Sequence, residues 1–343
     1  DKNISLISKQ IKKFKVNNIV VTNKKKYKIL KKRFKKIKIF PNFKKIDKKL
    51  IAKADYAMSA ISGIEGLRPT IHIIKKTKRI AIANKESIIC GWGLIQKELK
   101  KHKTEFIPVD SEHFSIWSVI KDYQKSDIEK VILTASGGPF LNKKIKKNVS
   151  LKDAISHPNW SMGAKITVDS ATMANKGLEL IEARWLFDLN PKQLQVVIHP
   201  ESIVHSFVEW VDGSILAQLS PPDMTFAIQH CMFYPEKKEN PTPSINFNKA
   251  FECNFIPPDT KRYPCLDLAY QALKTEPYGG AIFNAANEIA VKRFLSGEIP
   301  FTNISKLIEK ALTNIEAPKE LNLQTLLELD HETRYYSLKT TIR

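Results

Sequence analysis

No run in this 343-residue chain approaches roughly 18 uninterrupted apolar residues, so no membrane-spanning helix is expected. Cysteine is scarce. Cys90, Cys231, Cys253 and Cys265 stand far apart, without a Cys-x-x-Cys pair. That spacing excludes a zinc knuckle or a disulfide framework and fits a reducing cytosol. No signal peptide is visible at the start, and no internal repeat is found. Acidic residues are nearly missing from the first third. Residues 1–109 hold 30 Lys+Arg against 7 Asp+Glu, and residues 110–343 hold 26 against 28, so the net charge of +21 is all N-terminal. The basic run from Lys24 to Lys38 is itself poor in arginine and aromatics, with only Arg33, Tyr27 and Phe34. A nucleic-acid groove draws on such groups. A lysine-rich solvated helix face is the expectation, with no nucleic-acid partner and no membrane.

The chain is long enough for two or three domains with real cores, and its 43% hydrophobic content is ordinary for a globular protein. Strand and helix signals alternate through the first third. Strands are expected at Asn18–Thr22, Ile37–Phe40, Asp55–Ile61 and Arg79–Ala83, and helices at Pro69–Ile74 and Lys85–Leu99, with Asn84 or Ser87 as the cap. Such alternation implies βαβ units and a parallel sheet, with sites at the carboxyl ends of its strands. Strands follow at Lys130–Thr134, Leu194–Ile198, Ser202–Trp210 and Ser214–Leu219, and the last three are close enough to suggest an antiparallel sheet. Residues 235–264, rich in proline and asparagine, suit a linker. Helical periodicity then returns at Leu266–Leu273, Ala281–Phe294, Ile304–Ile315 and Leu323–Leu329. The expected class is α/β: an N-terminal Rossmann-like parallel sheet over 1–109, a central α+β catalytic domain over 110–235, a linker over 236–262 and a helical bundle over 263–343.

The most informative stretch is Ile107-Pro-Val-Asp-Ser-Glu-His113. In an extended strand Asp110 and Glu112 point to the same side. Two adjacent carboxylates repel unless a positive group sits between them, and a hard divalent cation suits all-oxygen ligands. A solvated acidic strand end is the plainer reading. Four further segments carry chemistry. Ser136-Gly137-Gly138 is a Gly-rich turn after a strand and can hold a phosphate, or can be an ordinary turn. His157-Pro-Asn-Trp160-Ser-Met162-Gly163 places an imidazole, an indole and a thioether in one loop, either tucked into the core or part of a lid. Ser170, Asn175 and Lys176 supply hydroxyl, amide and ammonium donors suited to a phosphate. Glu179 and Glu182 lie at i and i+3 on the same helical run, so either can be a third metal carboxylate. A salt bridge from Glu182 to Arg184 or Lys176 is the competing reading for that residue.

Together these segments, in this order and spacing, resemble the 1-deoxy-D-xylulose 5-phosphate reductoisomerase family. Ala83-Asn-Lys-Glu-Ser87, His199-Pro-Glu-Ser-Ile-Val-His-Ser206, Arg262-Tyr-Pro-Cys-Leu266 and Asn284-Ala-Ala-Asn-Glu288 extend the likeness over essentially the whole chain. The resemblance implies rearrangement and NADPH-dependent reduction of 1-deoxy-D-xylulose 5-phosphate to 2-C-methyl-D-erythritol 4-phosphate, in the non-mevalonate route to isoprenoids. It implies a divalent cation (Mg²⁺, Mn²⁺ or Co²⁺) on Asp110, Glu112 and Glu179. It implies catalytic roles for Lys85, Asp110, Glu112, His157 and Glu179. Substrate contacts would come from Lys85, Ser111, Glu112, Ser136, His157, Trp160, Met162, Ser170, Asn175, Lys176 and Glu179. Cofactor contacts would come from Lys2, Asn3, Asn84, Glu86 and Gly163. A homodimer in the bacterial cytoplasm is implied as well.

One departure stands out. The family begins with a strand and a Gly-rich loop, Gly-x-Thr-Gly-x-Ile-Gly, that holds the cofactor pyrophosphate, and this chain shows no such loop. About 35 residues upstream are expected to be missing by the usual βαβ length. An incomplete sequence, a misplaced start and a true loss are the three readings, and the first is expected. A true loss would leave a sugar-phosphate- and metal-binding protein inactive in reduction.

Overall fold

The computed structural model describes residues 3–43, 53–145, 148–157 and 162–342. Helix α1 (Ile4–Lys13) is capped by Asn3, whose side chain accepts from the Leu6 N–H. Strands β1 (Asn18–Val20) and β2 (Lys38–Phe40) pair in parallel, with α2 (Lys24–Arg33) as the crossover. The lysine run lies on α2, where Leu30 alone is fully buried and packs with Val21 and Ile39. Tyr27 packs partly buried against the same cluster, and Lys24, Lys25, Lys28, Lys31 and Lys32 form the solvated face that the composition predicts.

A second parallel sheet follows, ordered β3 (Ala54–Ser59), β4 (Thr77–Ile82) and β5 (Glu105–Pro108). Helices α3 (Leu67–Ile74) and α4 (Lys85–His102) make its crossovers. Parallel strands need such crossovers, because a tight hairpin cannot return the chain in the same direction. Among the described residues the N-terminal strands thus form two parallel groups rather than one continuous sheet.

Helix α5 (Ser111–Ile120) leads to the third sheet, ordered β7-β6-β8-β9. Here β6 is Ile128–Ala135, β7 Leu194–Ile198, β8 Val204–Trp210 and β9 Ile215–Leu219. The sheet is mixed, which corrects the antiparallel expectation. β7 runs parallel to β6, because α6 (Leu151–Ala154), α7 (Ala164–Ala171) and α8 (Ala174–Phe187) form the crossover between them. β8 and β9 are antiparallel and close through a turn at Gly213, whose φ of +83° suits glycine. Helix α9 (Met224–Phe233) ends this region. Residues 234–263 carry no helix or longer strand, only a bridge from Ile256 to Ile198.

The C-terminal bundle comprises α10 (Pro264–Ala272), α11 (Gly279–Leu295), α12 (Asn303–Asn314) and α13 (Leu323–Lys339). α11 is buried on nearly every side. One hydrophobic cluster runs from Ile88 through Leu133 and Leu178 to Phe283 and Ile308, so the N-terminal sheet, the central sheet and the bundle share a core. No described helix is long and apolar enough to cross a membrane.

Candidate active site

The carboxyl ends of β4, β5 and β6 open on one cavity of about 350 Å³. Beyond β4, Asn84 caps α4: its Oδ1 accepts from the Ser87 N–H at 2.6 Å, and its amide donates to the carbonyls of Ile61 and Gly63. Lys85, the first residue of α4, faces the cavity.

Beyond β5, Asp110 caps α5 and accepts from the Glu112 N–H at 3.3 Å. Asp110, Ser111 and Glu112 are therefore a helix start and not a strand end, correcting the i, i+2 reading. The aspartate cap satisfies an orphan N–H group, and both it and the first-turn glutamate meet the positive end of the helix dipole. Nothing in the alternation of apolar residues before Asp110 revealed that change of direction.

Beyond β6 the chain turns at Ser136-Gly137-Gly138, with φ of +81° and +63° at the two glycines. A Cβ on Gly138 would lie 2.7 Å from the Ser170 carbonyl oxygen, so glycine lets the turn press against α7. Met173, at φ +58°, breaks α7 from α8 and aims Asn175, Lys176 and Glu179 into the cavity.

The charged groups interlock. Lys85 Nζ lies 2.7 Å from Asp110 Oδ2, 2.9 Å from Glu179 Oε1 and 3.1 Å from Asn175 Oδ1. Lys176 Nζ lies 2.8 Å from Glu112 Oε1 and also pairs with Glu179 Oε2. Asn175 donates to Glu179 Oε1 at 2.6 Å, and the Ser111 hydroxyl to Glu112 Oε2 at 2.6 Å. Carboxylate oxygens of Asp110, Glu112 and Glu179 all lie within 4.8 Å of one another. This is an all-oxygen donor set at a spacing that fits a hard divalent cation.

Behind them sits a second layer. His113 is fully buried; its Nε2 lies 2.9 Å from the Glu179 carbonyl, and its Nδ1 faces Asp110 Oδ1 at 3.4 Å and Glu182 Oε2 at 3.5 Å. Glu182 therefore pairs with His113, and the expected bridge to Arg184 or Lys176 is not made. Arg184 instead holds Glu276 and Asp188. Four carboxylates thus meet two ammonium groups and one imidazole.

The electrostatics follow from that imbalance. Burial disfavours the Lys85 charge, but Asp110, Glu179 and Glu182 outweigh it and hold the ammonium well above the usual lysine range. Burial likewise works against the Asp110 charge, and Lys85 and His113 overcome it and hold the carboxyl well below its ordinary value. Glu112 moves the other way: burial, then the charge of Glu179, lifts it to about 7. Burial lifts Glu182 to about 8. The raised Glu112 and Glu182 express the crowding of negative charge, which a bound cation would relieve.

Across the cavity, Ser136 Oγ and His157 Nε2 are 3.0 Å apart. Burial lowers the His157 pKa, favouring the neutral ring. Ser170 and Met162 complete this side. Of the residues singled out in the sequence, the structure gathers Lys85, Asp110, Ser111, Glu112, Ser136, His157, Met162, Ser170, Asn175, Lys176 and Glu179 around one space. Glu86 lies in the first turn of α4 and Gly163 caps α7, outside that lining. Asn3 is occupied capping α1. Lys2 and Trp160 lie outside the described residues. Ser202, His205 and Met224 also line the cavity and were not singled out. Ser202 and His205 fall within the His199–Ser206 motif, but a buried histidine in a strand pattern reads as core.

This arrangement can be set beside known proteins. The 1-deoxy-D-xylulose 5-phosphate reductoisomerase profile matches residues 1–92. The corresponding C-terminal domain profile matches residues 106–187, and the DXP reductoisomerase C-terminal domain profile residues 219–336. The 1-deoxy-D-xylulose 5-phosphate reductoisomerase of Caldanaerobacter subterraneus is 42% identical over 99% of this chain and 90% of its own length. The chain belongs to the 1-deoxy-D-xylulose 5-phosphate reductoisomerase family. The same-named protein of Pelagibacter ubique is 43% identical over 99% of this chain and 89% of its own. Among solved structures, the Zymomonas mobilis reductoisomerase in complex with NADPH superposes with a TM-score of 0.90 at 35% identity, covering 98% of this chain and 89% of that one. A reductoisomerase in complex with NADPH, fosmidomycin and magnesium gives 0.90 at 36% identity, covering 98% and 88%. The family resemblance and the α/β class read from the sequence are both borne out.

Proposed function

We propose that this chain converts 1-deoxy-D-xylulose 5-phosphate to 2-C-methyl-D-erythritol 4-phosphate, using NADPH and a divalent cation. One observation carries the reading: three carboxylates within 4.8 Å of one another face a hydroxyl, imidazole, amide and ammonium set across a single cavity. Asp110, Glu112 and Glu179 would hold the cation, which when bound stabilises charge developing on substrate oxygens as a Lewis acid.

The chain's own residues do the rest. Ser136, His157, Ser170, Asn175 and Lys176 bind the substrate phosphate, Lys176 by charge and the others by directional donors. Asn175 and Lys176 leave Glu179 as they do so, which frees its oxygens. Lys85 places a positive charge beside the reacting carbonyl and hydroxyl oxygens. Met162, with Trp160 on the same loop, covers the substrate and excludes water while the aldehyde awaits reduction. Asn84, Glu86 and Gly163, with Lys2 and Asn3, take the NADPH, which supplies the hydride.

The division into a cofactor unit (1–109), a catalytic unit (110–235), a linker (236–262) and a helical unit (263–343) belongs to this proposal, as do a cytoplasmic setting and the absence of nucleic-acid and membrane partners. So does a homodimer, supported by exposed apolar side chains along β9 and beyond it: Ile215, Leu216, Leu219 and Phe247. A metal- and sugar-phosphate-binding protein without redox activity is not favoured, since relatives 42% and 43% identical over 99% of this chain bear the reductoisomerase name. The test is NADPH oxidation on adding 1-deoxy-D-xylulose 5-phosphate and Mn²⁺ to protein from the full reading frame. Absence of oxidation would sink the reading.

A further inference from the structure

A second cavity, of about 410 Å³, shares no lining residue with the first. It lies between the segment after the Ser136–Gly138 turn and the starts of α10 and α12. Three cations line it, Lys144, Lys261 and Arg262. Among the described residues none of the three has an ion-pair partner. The single acidic residue in the lining, Asp259, spends Oδ1 on the backbone N–H groups of Lys261 at 3.0 Å and Arg262 at 3.3 Å. The lysine bias of the N-terminal third does not explain this cluster, because residues 110–343 hold 26 Lys+Arg against 28 Asp+Glu.

Donors around the space are left over. The Arg262 guanidinium donates through one terminal nitrogen to the carbonyls of Phe140 and Lys143, but its Nε is buried without a partner. A buried unpaired donor is a group that an anion in the cavity would satisfy. Thr302 stands at the N-cap of α12, yet its hydroxyl makes no capping bond. Cys265 is the second residue of α10, where an α-helix offers no internal acceptor for the N–H. Phe301, 4% exposed, provides an apolar wall.

We propose that this cavity binds a small phosphorylated molecule, with a dianionic phosphate or diphosphate between Lys144, Lys261 and Arg262 and its body against Phe301. Three cations less one carboxylate match a dianion, and a guanidinium fork suits phosphate oxygens. The site goes beyond the proposed reaction, whose substrate phosphate uses the other cavity. The two are physically adjacent: Arg262 holds the Phe140 carbonyl, and the Tyr263 hydroxyl donates to the Gly137 carbonyl at 3.2 Å.

The test is calorimetric titration of inorganic pyrophosphate into the metal-free full-length protein at physiological ionic strength. One pyrophosphate per chain is expected. Binding should weaken about tenfold or more in the Lys144→Gln/Lys261→Gln double variant, whose exposed side chains carry no core contacts, and stay unchanged in Ser136→Ala. Turnover by the double variant should match the parent protein. No saturable binding, equal affinity in the double variant, or loss of binding in Ser136→Ala would each overturn the proposal.

Discussion

The Lys85 ammonium sits 2.7 Å from Asp110 Oδ2, with both side chains mostly out of solvent. The same nitrogen reaches Glu179 at 2.9 Å, so a side-chain cation lies between two of the three carboxylates proposed to hold a metal. On the proposed reading, a divalent ion held there would balance the charge that Lys85 balances in its absence, and would leave Lys85 free to face the substrate oxygens.

Replacing Lys85 with methionine leaves Asp110 and Glu179 without that counter-charge. Breaking a buried pair from one side costs about 3–5 kcal/mol. Lys85→Met protein should melt earlier than the parent in chelator, and Mn²⁺ should raise its melting temperature by more than it raises the parent's. Equal metal-induced shifts, followed by differential scanning fluorimetry, would show that Lys85 is not a stand-in for the ion.

Ser136 is placed by the turn at Gly137 and Gly138 and held 3.0 Å from His157. Its hydroxyl is proposed to touch the substrate phosphate, and a hydrogen bond to a charged group contributes about 1.5–3 kcal/mol. Ser136→Ala should raise KM for 1-deoxy-D-xylulose 5-phosphate about ten- to a hundredfold, with kcat changing far less and KM for NADPH unmoved. A fall in kcat alone would argue against phosphate binding by this residue.

His205, in the lining of the same cavity, offers a pH signature of opposite sign to the raised carboxyls. Burial, then the Lys176 charge, pushes it down to about 4, against an ordinary value near 6.5. Between those two values the unfolded chain binds a proton that the folded chain refuses, so this residue makes stability fall as pH drops through the window. The effect approaches about 3 kcal/mol by pH 4. Urea unfolding at pH 7 and pH 5 should show a smaller pH-dependent loss for His205→Gln than for the parent protein. Identical losses would mean that His205 titrates normally in the folded state.

Much of this was legible in the chain, because the segments that carry chemistry are short and local. The βαβ rhythm, the Gly137-Gly138 turn and the Asn84 cap all rest on nearest-neighbour rules. Asp110 to Glu112 read as a strand because the apolar residues before them are a strand, and only the N-cap geometry shows the chain has already entered α5. β7 looked antiparallel because it lies close in sequence to β8, whereas its partner β6 is reached through three helices. The pairing of His113 with Glu182, and of Lys85 with Asp110 and Glu179, joins residues on separate helices. No local pattern encodes such contacts, since each depends on how α4, α5 and α8 pack.

The most direct measurement follows NADPH oxidation by protein from the full reading frame and by its Glu112→Gln variant, each with 1-deoxy-D-xylulose 5-phosphate and Mn²⁺. The expected result is stoichiometric, chelator-sensitive oxidation by the parent protein and at least about a hundredfold slower oxidation by a folded Glu112→Gln variant. Oxidation that survives chelation, or a Glu112→Gln variant as fast as the parent, would contradict a metal held by Asp110, Glu112 and Glu179.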